Sequence, residues 1–231
     1  RAGAAARCRG GATAAAASRG FGTTAVKKRR RVPKVRDEPP TGYDAGPVAL
    51  NIVKYPHPAL RRPNVNVENF DERLRQLASN LFDAMYKEVD PPGVGLAAPQ
   101  VGVNVRVMVY NRLRTAEDKH RETEQVFVNP QIVARSEVQE QEYEECLSFP
   151  QMDGPVVRPE WVEFEAADLE GKVSKHRIEG EEARVFQHEY DHLDGVLYID
   201  HLAASDRSYV QERLDRLAKD YKAGGGKQPA L

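Results

Sequence analysis

The sequence predicts an α+β fold in which antiparallel strands pack around a helix in the C-terminal half of the chain. Segments with strand-like alternation lie together in the middle of the sequence, and segments with helical periodicity lie at its two ends. Strands and helices that are separated along the chain are typical of α+β proteins, whereas alternating strands and helices would indicate a parallel βαβ array. An N-terminal amphipathic helix and a final C-terminal helix complete the predicted fold.

The N-terminal element is an amphipathic helix over residues 70–88. Its apolar residues recur at helical spacing, with polar and charged residues between them: Phe70, Leu74, Leu77, Leu81 and Met85. Asn69 is the expected N-cap, and Glu72 three positions later would complete a capping box. The run Asp90-Pro91-Pro92-Gly93 is expected to stop the helix, because proline cannot continue it.

Short strands are expected to follow this helix. Valines at 105, 107 and 109 alternate with Arg106 and Met108, and residues 126–128 include two β-branched side chains. Apolar residues at 162, 164 and 166 alternate with acidic ones, and a turn at 169–171 leads into a strand over 173–178.

Two helices are predicted after the strands. The helix over 181–193 is ended by Gly195, since glycine is the usual residue just beyond a helix C-terminus. The final helix spans 206–222. Its apolar stripe consists of four residues: Val210, Leu214, Leu217 and Tyr221.

Basic residues are concentrated at the beginning of the chain. The 231 residues include 34 Lys and Arg against 35 Asp and Glu, for a net charge of −1. Residues 1–36 contain 11 of these basic residues and no acidic one, so the remainder has 23 basic against 35 acidic residues, a net charge of −12.

The composition excludes two classes of protein. No stretch approaches the ~20 consecutive apolar residues of a membrane span. Two cysteines, Cys8 and Cys146, are too few for a disulfide framework.

The basic segment has the composition of an organelle transit peptide. It is rich in Ala, Arg, Gly, Ser and Thr, and it has too little aliphatic bulk to fold alone. A rival interpretation treats residues 27–31 (KKRRR) as a nucleic-acid or nuclear-localisation patch, and a third treats the segment as a solvated tail without function. Because the sequence begins with Arg1 rather than methionine, we expect that its first residues are missing.

The chain is expected to contain one folded domain between two disordered segments. Residues 1–47 form the transit peptide and a linker, because proline and glycine crowd positions 39–47 (PPTGYDAGP). The folded domain is expected to span residues 48–223. Residues 224–231 form a frayed tail.

The motif with the clearest chemistry is HEYDH at residues 188–192, which matches H-E-x-x-H on a predicted helix. Residues four apart lie on one helix face about 5.4 Å apart, so His188 and His192 can present two imidazoles to one cation. Glu189 follows His188 directly and is rotated from it by about 100°, which suits a base that acts on water beside a metal. Two surface histidines beside an unrelated glutamate are the alternative interpretation.

A catalytic metal site typically has three protein ligands. HEYDH supplies two of them, and the sequence pattern does not decide which residue is the third. Zincin proteases take it from downstream, where His201 is the only histidine, and the metzincin position is occupied by Tyr198. Cys146 in EECLSFP is the upstream candidate and the only cysteine of the folded domain. A buried core thiol is its alternative interpretation.

The segment GVGLAAPQVG at residues 93–102 is the third candidate element. Gly93 and Gly95 permit the close approach of another backbone, and Gln100 supplies a neutral amide donor suited to a developing oxyanion. A helix-to-strand turn is the alternative. The segment is not a P-loop, because no Lys-Ser/Thr pair follows.

GVGLAAPQ, ECLS and QHEYDH, in this order, resemble the three signature motifs of peptide deformylases, which remove the formyl group from the N-terminal methionine of new proteins. The resemblance covers about residues 50–200 and includes the opening LNIVKYPHPALRRP. The residues SFP after the cysteine, together with the basic head, resemble the bacterial-type enzymes that plants and algae keep in plastids.

The resemblance implies a role for nine residues. It also implies one divalent metal ion, which would be Fe²⁺, with Zn²⁺, Ni²⁺ or Co²⁺ able to replace it. The implied metal ligands are Cys146, His188 and His192. The implied catalytic groups are the general acid/base Glu189 and two donors to the formyl oxygen, the side chain of Gln100 and the backbone N–H of Leu147. The implied substrate-binding residues are Gly93, Val94 and Gly95.

The resemblance also implies the partners and the compartment. The substrates would be N-formylmethionyl nascent polypeptides, with transient contact to the organellar ribosome and no direct binding to nucleic acid or membranes. The absence of a long heptad repeat leaves a monomer as the expectation. The plastid stroma is the expected location, and the mitochondrion is the alternative.

One residue departs from the family pattern. Glu145 stands where the family has glycine before the ligand cysteine (EGCLS). Glutamate would strain the backbone if this position needed a positive φ, and otherwise it adds bulk and charge. We expect the site to assemble with the Glu145 side chain turned aside.

Three other functions stay open. A zincin-type protease would use a downstream ligand such as His201 or Glu212 and would give Cys146 and Gln100 no role. A non-catalytic relative would bind nascent chains or ribosomes through the same groove, with Glu145 as its only support. A structural metal site would close the fourth coordination position.

Overall fold

The computed structural model describes residues 49–87, 93–112, 123–226 and 229. The predicted transit peptide and linker, Cys8, the helix stop at 90–92 and part of the predicted tail lie outside these residues. Within the described ranges, no helix is both long and apolar enough to span a membrane.

The strands form two antiparallel sheets. In chain order they are β1 (Gly95–Ala97), β2 (Val107–Tyr110), β3 (Gln125–Arg135), β4 (Gln139–Glu145), β5 (Asp153–Pro159), β6 (Trp161–Ala167) and β7 (Val173–Glu179). The larger sheet has the order β1-β2-β3-β6-β7, and β4 and β5 pair with each other as a separate two-stranded sheet. Every pair of named strands is antiparallel, so the predicted combination of helices with antiparallel sheet is confirmed.

Two helices cover opposite faces of the larger sheet. Leu77 of α1 (Glu72–Lys87) lies in one buried cluster with Val107 and Val109 of β2. Phe186 of α2 (Gly180–Leu193) lies in another cluster with Met108 of the same strand. Because a helix covers each face, β2 is buried along its whole length.

The start of α1 differs from the prediction. The helix begins at Glu72, and the carboxylate of Asp71 accepts hydrogen bonds from the backbone N–H groups of Arg73 (3.1 Å) and Leu74 (3.3 Å). The proposed N-cap Asn69 was therefore wrong, because Asp71 is the residue placed to satisfy the free N–H groups of the first turn.

The two later helices follow the periodicity of their sequences. α2 ends at Leu193, and Gly195 has a φ of 70°, with the backbone oxygen of Arg61 only 3.1 Å from where a Cβ would lie. A side chain at this position would be strained, which is why glycine ends the helix. α3 (Ala204–Ala223) buries Val210 and Leu214 in a third cluster.

The hairpin of β4 and β5 has no local signal in the sequence. β4 reads QEQEYEE, and of its seven side chains only Glu144 is buried. An apolar alternation is the usual signal of a strand, and it is absent here because the one buried side chain of β4 is the carboxylate of Glu144. The hairpin matters for the site because Cys146 follows β4 directly.

Candidate metal centre

Three predicted ligands converge from two parts of the chain. His188 and His192 lie on one face of α2, as expected for residues four apart, and Cys146 comes from the end of β4. The Sγ atom of Cys146 lies 3.4 Å from Nε2 of His192, and one ligand atom from each residue lies within 4.8 Å of the others. All three side chains are buried.

This donor set fits a divalent transition metal. Ligands at 2.0–2.3 Å from a tetrahedral ion are about 3.3–3.8 Å apart, which matches the distance between Cys146 and His192. A thiolate with two imidazoles suits Zn²⁺ or Fe²⁺, whereas Mg²⁺ and Ca²⁺ prefer oxygen. Three protein ligands leave a coordination position for a substrate or water, as in catalytic sites.

Glu144, which the motifs did not single out, orients one of the predicted ligands. Its carboxylate lies 3.0 Å from Nδ1 of His188, so the opposite ring nitrogen is left for the cation. Two arginines bind the same carboxylate: Arg158 donates through Nε and Nη2, and Arg184 donates through Nη1. The position of Glu144, two residues before Cys146, was the only signal in the sequence.

The buried charges set different protonation preferences for the two histidines. Burial alone would raise the pKa of Glu144, but hydrogen bonds from Arg158 and His188 hold it well below its usual range. Burial opposes the charged form of His188, yet the neighbouring Cys146 and Glu144 raise its pKa. Burial and the adjacent His188 lower the pKa of His192, which favours the neutral imidazole that ligates metals.

Glu189 is buried beside the predicted ligands. Its side chain is 4% exposed, and Oε2 has no hydrogen-bond partner among the described residues. Burial raises the pKa of Glu189 to about 7, so the carboxyl can both accept and donate a proton near neutrality. A Cβ on Gly95 would lie 2.9 Å from Oε1 of Glu189, so glycine is needed where β1 approaches this carboxyl.

The side chain of Gln100 reaches the cysteine. Its Oε1 accepts a hydrogen bond from the backbone N–H of Ala97 (2.8 Å), and its Nε2 donates to Sγ of Cys146 (3.6 Å). The first bond fixes the orientation of the amide, so its N–H₂ group faces the predicted ligand Cys146. Gln100 itself is 1% exposed.

The predicted substrate-binding residues lie at the edge of the larger sheet. Gly95 begins β1, one of the two edge strands, and Val94 precedes it and is partly buried. A Cβ on Gly93 would lie 2.9 Å from the Leu147 side chain, so this glycine permits close contact with the segment after Cys146. The backbone oxygen of Leu147 accepts a hydrogen bond from Nζ of Lys54 (3.0 Å).

The ligands expected for a zincin lie elsewhere. Nε2 of His201 is 2.8 Å from a carboxylate oxygen of Asp191, and Glu212 pairs with Arg216 on the exposed surface of α3. Among the described residues, the one group of His, Cys, Asp and Glu side chains that could hold a metal consists of Cys146, His188 and His192.

The departure at Glu145 is accommodated without strain. Glu145 is the last residue of β4, where it pairs with Asp153 in an extended conformation. Its side chain is exposed, whereas those of Glu144 and Cys146 on either side are buried. Successive side chains of a strand point to opposite faces, so Glu145 points away from the ligands.

The chain matches known deformylases along most of its described length. A family model for polypeptide deformylase matches residues 49–208. The chain is 42% identical over 216 residues to the chloroplastic peptide deformylase 1B of Oryza sativa subsp. japonica, covering 92% of this chain and 76% of that protein. It is 42% identical over 177 residues to the chloroplastic/mitochondrial peptide deformylase 1B of Arabidopsis thaliana, covering 77% of this chain and 63% of that protein.

A solved structure agrees with the sequence matches. The crystal structure of a plant peptide deformylase superposes with a TM-score of 0.72 at 40% identity, covering 78% of this chain and 95% of that chain. The family model, the relatives and this structure lead to one conclusion: the chain belongs to the peptide deformylase family, whose members are metal-dependent hydrolases that remove the N-terminal formyl group from nascent polypeptides.

Proposed function

We propose that this chain removes the formyl group from N-formylmethionyl polypeptides with one divalent cation held by Cys146, His188 and His192. The observation that carries the proposal is the convergence of these three buried side chains beside the buried carboxyl of Glu189. A structural site would surround its metal with four protein ligands, and the described residues supply three.

We propose Fe²⁺ as the ion, with Zn²⁺, Ni²⁺ and Co²⁺ able to replace it. The mixed sulfur and nitrogen donors support this choice. Such a cation polarises a carbonyl group and makes water a stronger nucleophile at neutral pH. The thiolate of Cys146 also lowers the net charge of the site relative to three imidazoles.

Glu189 is proposed as the general acid and base. Its buried carboxyl, with a pKa near 7, accepts a proton from the attacking water and delivers it to the amine that leaves. The products are formate and a polypeptide with a free α-amino group. Because Oε2 has no partner among the described residues, it is available for this proton.

The negative charge that develops on the formyl oxygen requires donors in fixed positions. We propose the side-chain amide of Gln100 and the backbone N–H of Leu147 for this role. The hydrogen bond from Ala97 to Oε1 of Gln100 holds the amide in place before the substrate arrives. One such donor typically lowers the barrier by about 2.7–4 kcal/mol.

The substrate is proposed to lie along the edge strand β1. Its backbone would add a strand to the sheet beside Gly93, Val94 and Gly95, a common way for a protein to bind an extended peptide. β1 is an edge strand of the sheet, and a Cβ on Gly95 would lie 2.9 Å from Oε1 of Glu189, so this strand passes close to the proposed catalytic carboxyl.

Formate release from formyl-Met-Ala-Ser by protein prepared with iron in the absence of oxygen tests this function. Cleavage of internal peptide bonds instead would support a zincin-type protease. Inertness of a protein that retains its metal would support a non-catalytic relative or a structural metal site, and would overturn the proposal.

We also propose that the full chain works inside an organelle. Residues 1–47 would be the transit peptide and linker, 48–223 the catalytic domain and 224–231 a tail. The rice relative is named chloroplastic and the Arabidopsis relative chloroplastic/mitochondrial, which supports a plastid with the mitochondrion as the alternative. We propose a monomer with only transient contact to the organellar ribosome, which light scattering and co-sedimentation would test.

Residues 1–45 fused to a fluorescent protein are expected to carry it into plastids. The Arg-rich, acid-free composition of residues 1–36 is the physical reason. Microscopy of plant cells gives the measurement, and the same fusion with residues 27–31 changed to alanine is the control for a nuclear signal. Diffuse fluorescence in the cytosol would contradict the targeting role.

Replacing Glu145 with glycine is expected to change the rate of formate release by less than tenfold, or ~1.4 kcal/mol. The side chain is exposed and its backbone is extended, so there is no strain for glycine to relieve. Thermal unfolding should show that the free energy of unfolding of Glu145→Gly is about 0.5–1 kcal/mol lower than that of Glu145→Ala, because glycine loses more conformational entropy on folding. A gain in rate of tenfold or more, absent in Glu145→Ala, would show that the glutamate strains the site.

A further inference from the structure

We propose that Arg184 is a positioning residue of the metal centre, which holds the hairpin of β4 and β5, and therefore Cys146, in place against α2. The inference depends on the metal centre proposed above. It goes beyond that centre because Arg184 is neither a ligand nor a group that touches the substrate.

Arg184 connects α2 to both strands of the hairpin. Its Nη2 donates to the backbone oxygen of Glu140 in β4 (2.8 Å), and its Nη1 donates to the backbone oxygen of Val156 in β5 (3.0 Å). Nη1 also donates to the carboxylate of Glu144 (2.8 Å), and Nε lies 3.2 Å from that of Glu142. The residue is only 9% exposed, so these bonds are largely shielded from water.

The hairpin needs such a connection because it is separate from the larger sheet. β4 and β5 pair only with each other in the described strands, and a two-stranded hairpin alone is at best marginally stable. Cys146 leaves the hairpin directly after β4, whereas both histidine ligands lie on α2. The distance between the sulfur and the two imidazoles is therefore fixed by the contacts between hairpin and helix.

Arg184 acts on the site at a second point through Glu144. It lies one helical turn before His188 on the same face of α2, so one carboxylate can bind both side chains. Arg184 binds Oε1 of Glu144, while Nδ1 of His188 lies 3.0 Å from Oε2. Fixing this carboxylate fixes the ring orientation of His188, and outer partners of this kind typically change metal affinity by 10–100-fold.

A second arginine connects the same elements in the opposite direction. Arg158 lies on β5, binds Glu144 through two nitrogens, and reaches Asp191 on α2 with Nη1 (2.8 Å). This bond joins the later part of α2, next to His192, to the hairpin. Arg184 joins the earlier part of α2 to the hairpin. Of the two arginines, Arg184 is the one whose hydrogen bonds reach backbone oxygens of both β4 and β5.

Three variants test the role. Arg184→Met keeps a long apolar side chain but removes every donor. Arg184→Lys keeps the charge but not the planar fork that serves several acceptors at once. Glu142→Gln is the matched control, because it weakens only the contact of Arg184 with a side chain that is 58% exposed.

Each purified protein is stripped of metal and titrated with Co²⁺ in competition with a chelator. The absorption band of Co²⁺ bound to thiolate reports whether and how Cys146 coordinates the metal. Thermal unfolding of the metal-free proteins reports their folding separately. We expect Arg184→Met to bind Co²⁺ at least tenfold more weakly with a weakened or shifted thiolate band. Arg184→Lys should fall between it and the wild type, and Glu142→Gln should match the wild type within twofold.

The outcomes separate the two proposals. If Arg184→Met is folded and has wild-type Co²⁺ affinity and an unchanged band, the positioning role is wrong while the metal centre stands. If Arg184→Met does not fold, Arg184→Lys decides. Wild-type Co²⁺ affinity and an unchanged thiolate band in Arg184→Lys would then overturn the role. If the wild type itself shows no thiolate band, the metal centre is wrong and the role of Arg184 falls with it.

Discussion

Replacing Glu189 with glutamine is expected to lower the turnover number for formyl-Met-Ala-Ser by about 10²–10⁴-fold, the usual contribution of a general acid or base. Glutamine has nearly the same shape as glutamate but cannot take up and release a proton near neutral pH. The Glu189 carboxyl is buried beside Gly95, where solvent cannot easily replace it as a base. The metal should remain, because Glu189 is not among the three grouped ligands.

Steady-state formate release and metal analysis of the same samples check this result. Glu181→Gln is the matched control, because it removes an exposed carboxylate from the first turn of the same helix and should leave the rate unchanged. A Glu189→Gln enzyme that retains near-wild-type turnover would remove Glu189 from the mechanism. Loss of metal from this variant would instead point to a structural role for the carboxylate.

Replacing Cys146 with serine is expected to have the second large effect, which is loss or exchange of the metal. A serine hydroxyl keeps its proton at neutral pH and is a harder donor than a thiolate, so it is a poor ligand for the ion expected here. Since changes to outer partners alone cost 10–100-fold in metal affinity, we expect loss of a direct ligand to cost at least about 100-fold. Turnover should fall with the metal content.

Metal analysis of oxygen-free protein, paired with the formate assay, measures the effect of this substitution. Cys8→Ser provides a matched control, since it removes the other cysteine from within the predicted transit segment. Unaltered metal content in Cys146→Ser would exclude the thiol as a ligand. It would also reopen the choice of a third ligand for His188 and His192.

Local regularities predicted the helices but not every detail of their ends. The spacing of Leu74, Leu77 and Leu81 identified α1, because one face of a helix is defined by residues three and four apart. The cap was misassigned to Asn69, since both Asn69 and Asp71 precede the helix and are good capping residues. Only the position of the Asp71 carboxylate over the N–H groups of the first turn decided between them.

The hairpin and the charged residues behind the ligands were not predicted. β4 has almost no apolar residue, so its sequence resembles an exposed loop. Arg158 and Arg184 are ordinary basic residues in the sequence, and nothing local indicates that both bind the buried carboxylate of Glu144. A buried ion cluster of this kind is visible only when the hairpin and the helix are placed together.

The sequence by itself determined that His188 and His192 share a helix face and that Glu189 is rotated by about 100° from His188, because the geometry of a helix follows from spacing alone. Its motifs, through their resemblance to a family, also indicated the reaction. Only the tertiary structure decided that Cys146 lies 3.4 Å from His192, across 46 residues of chain. The physical reason is that this distance depends on how a separate hairpin packs on α2, and that packing depends on buried contacts such as those of Arg184, which no local pattern encodes.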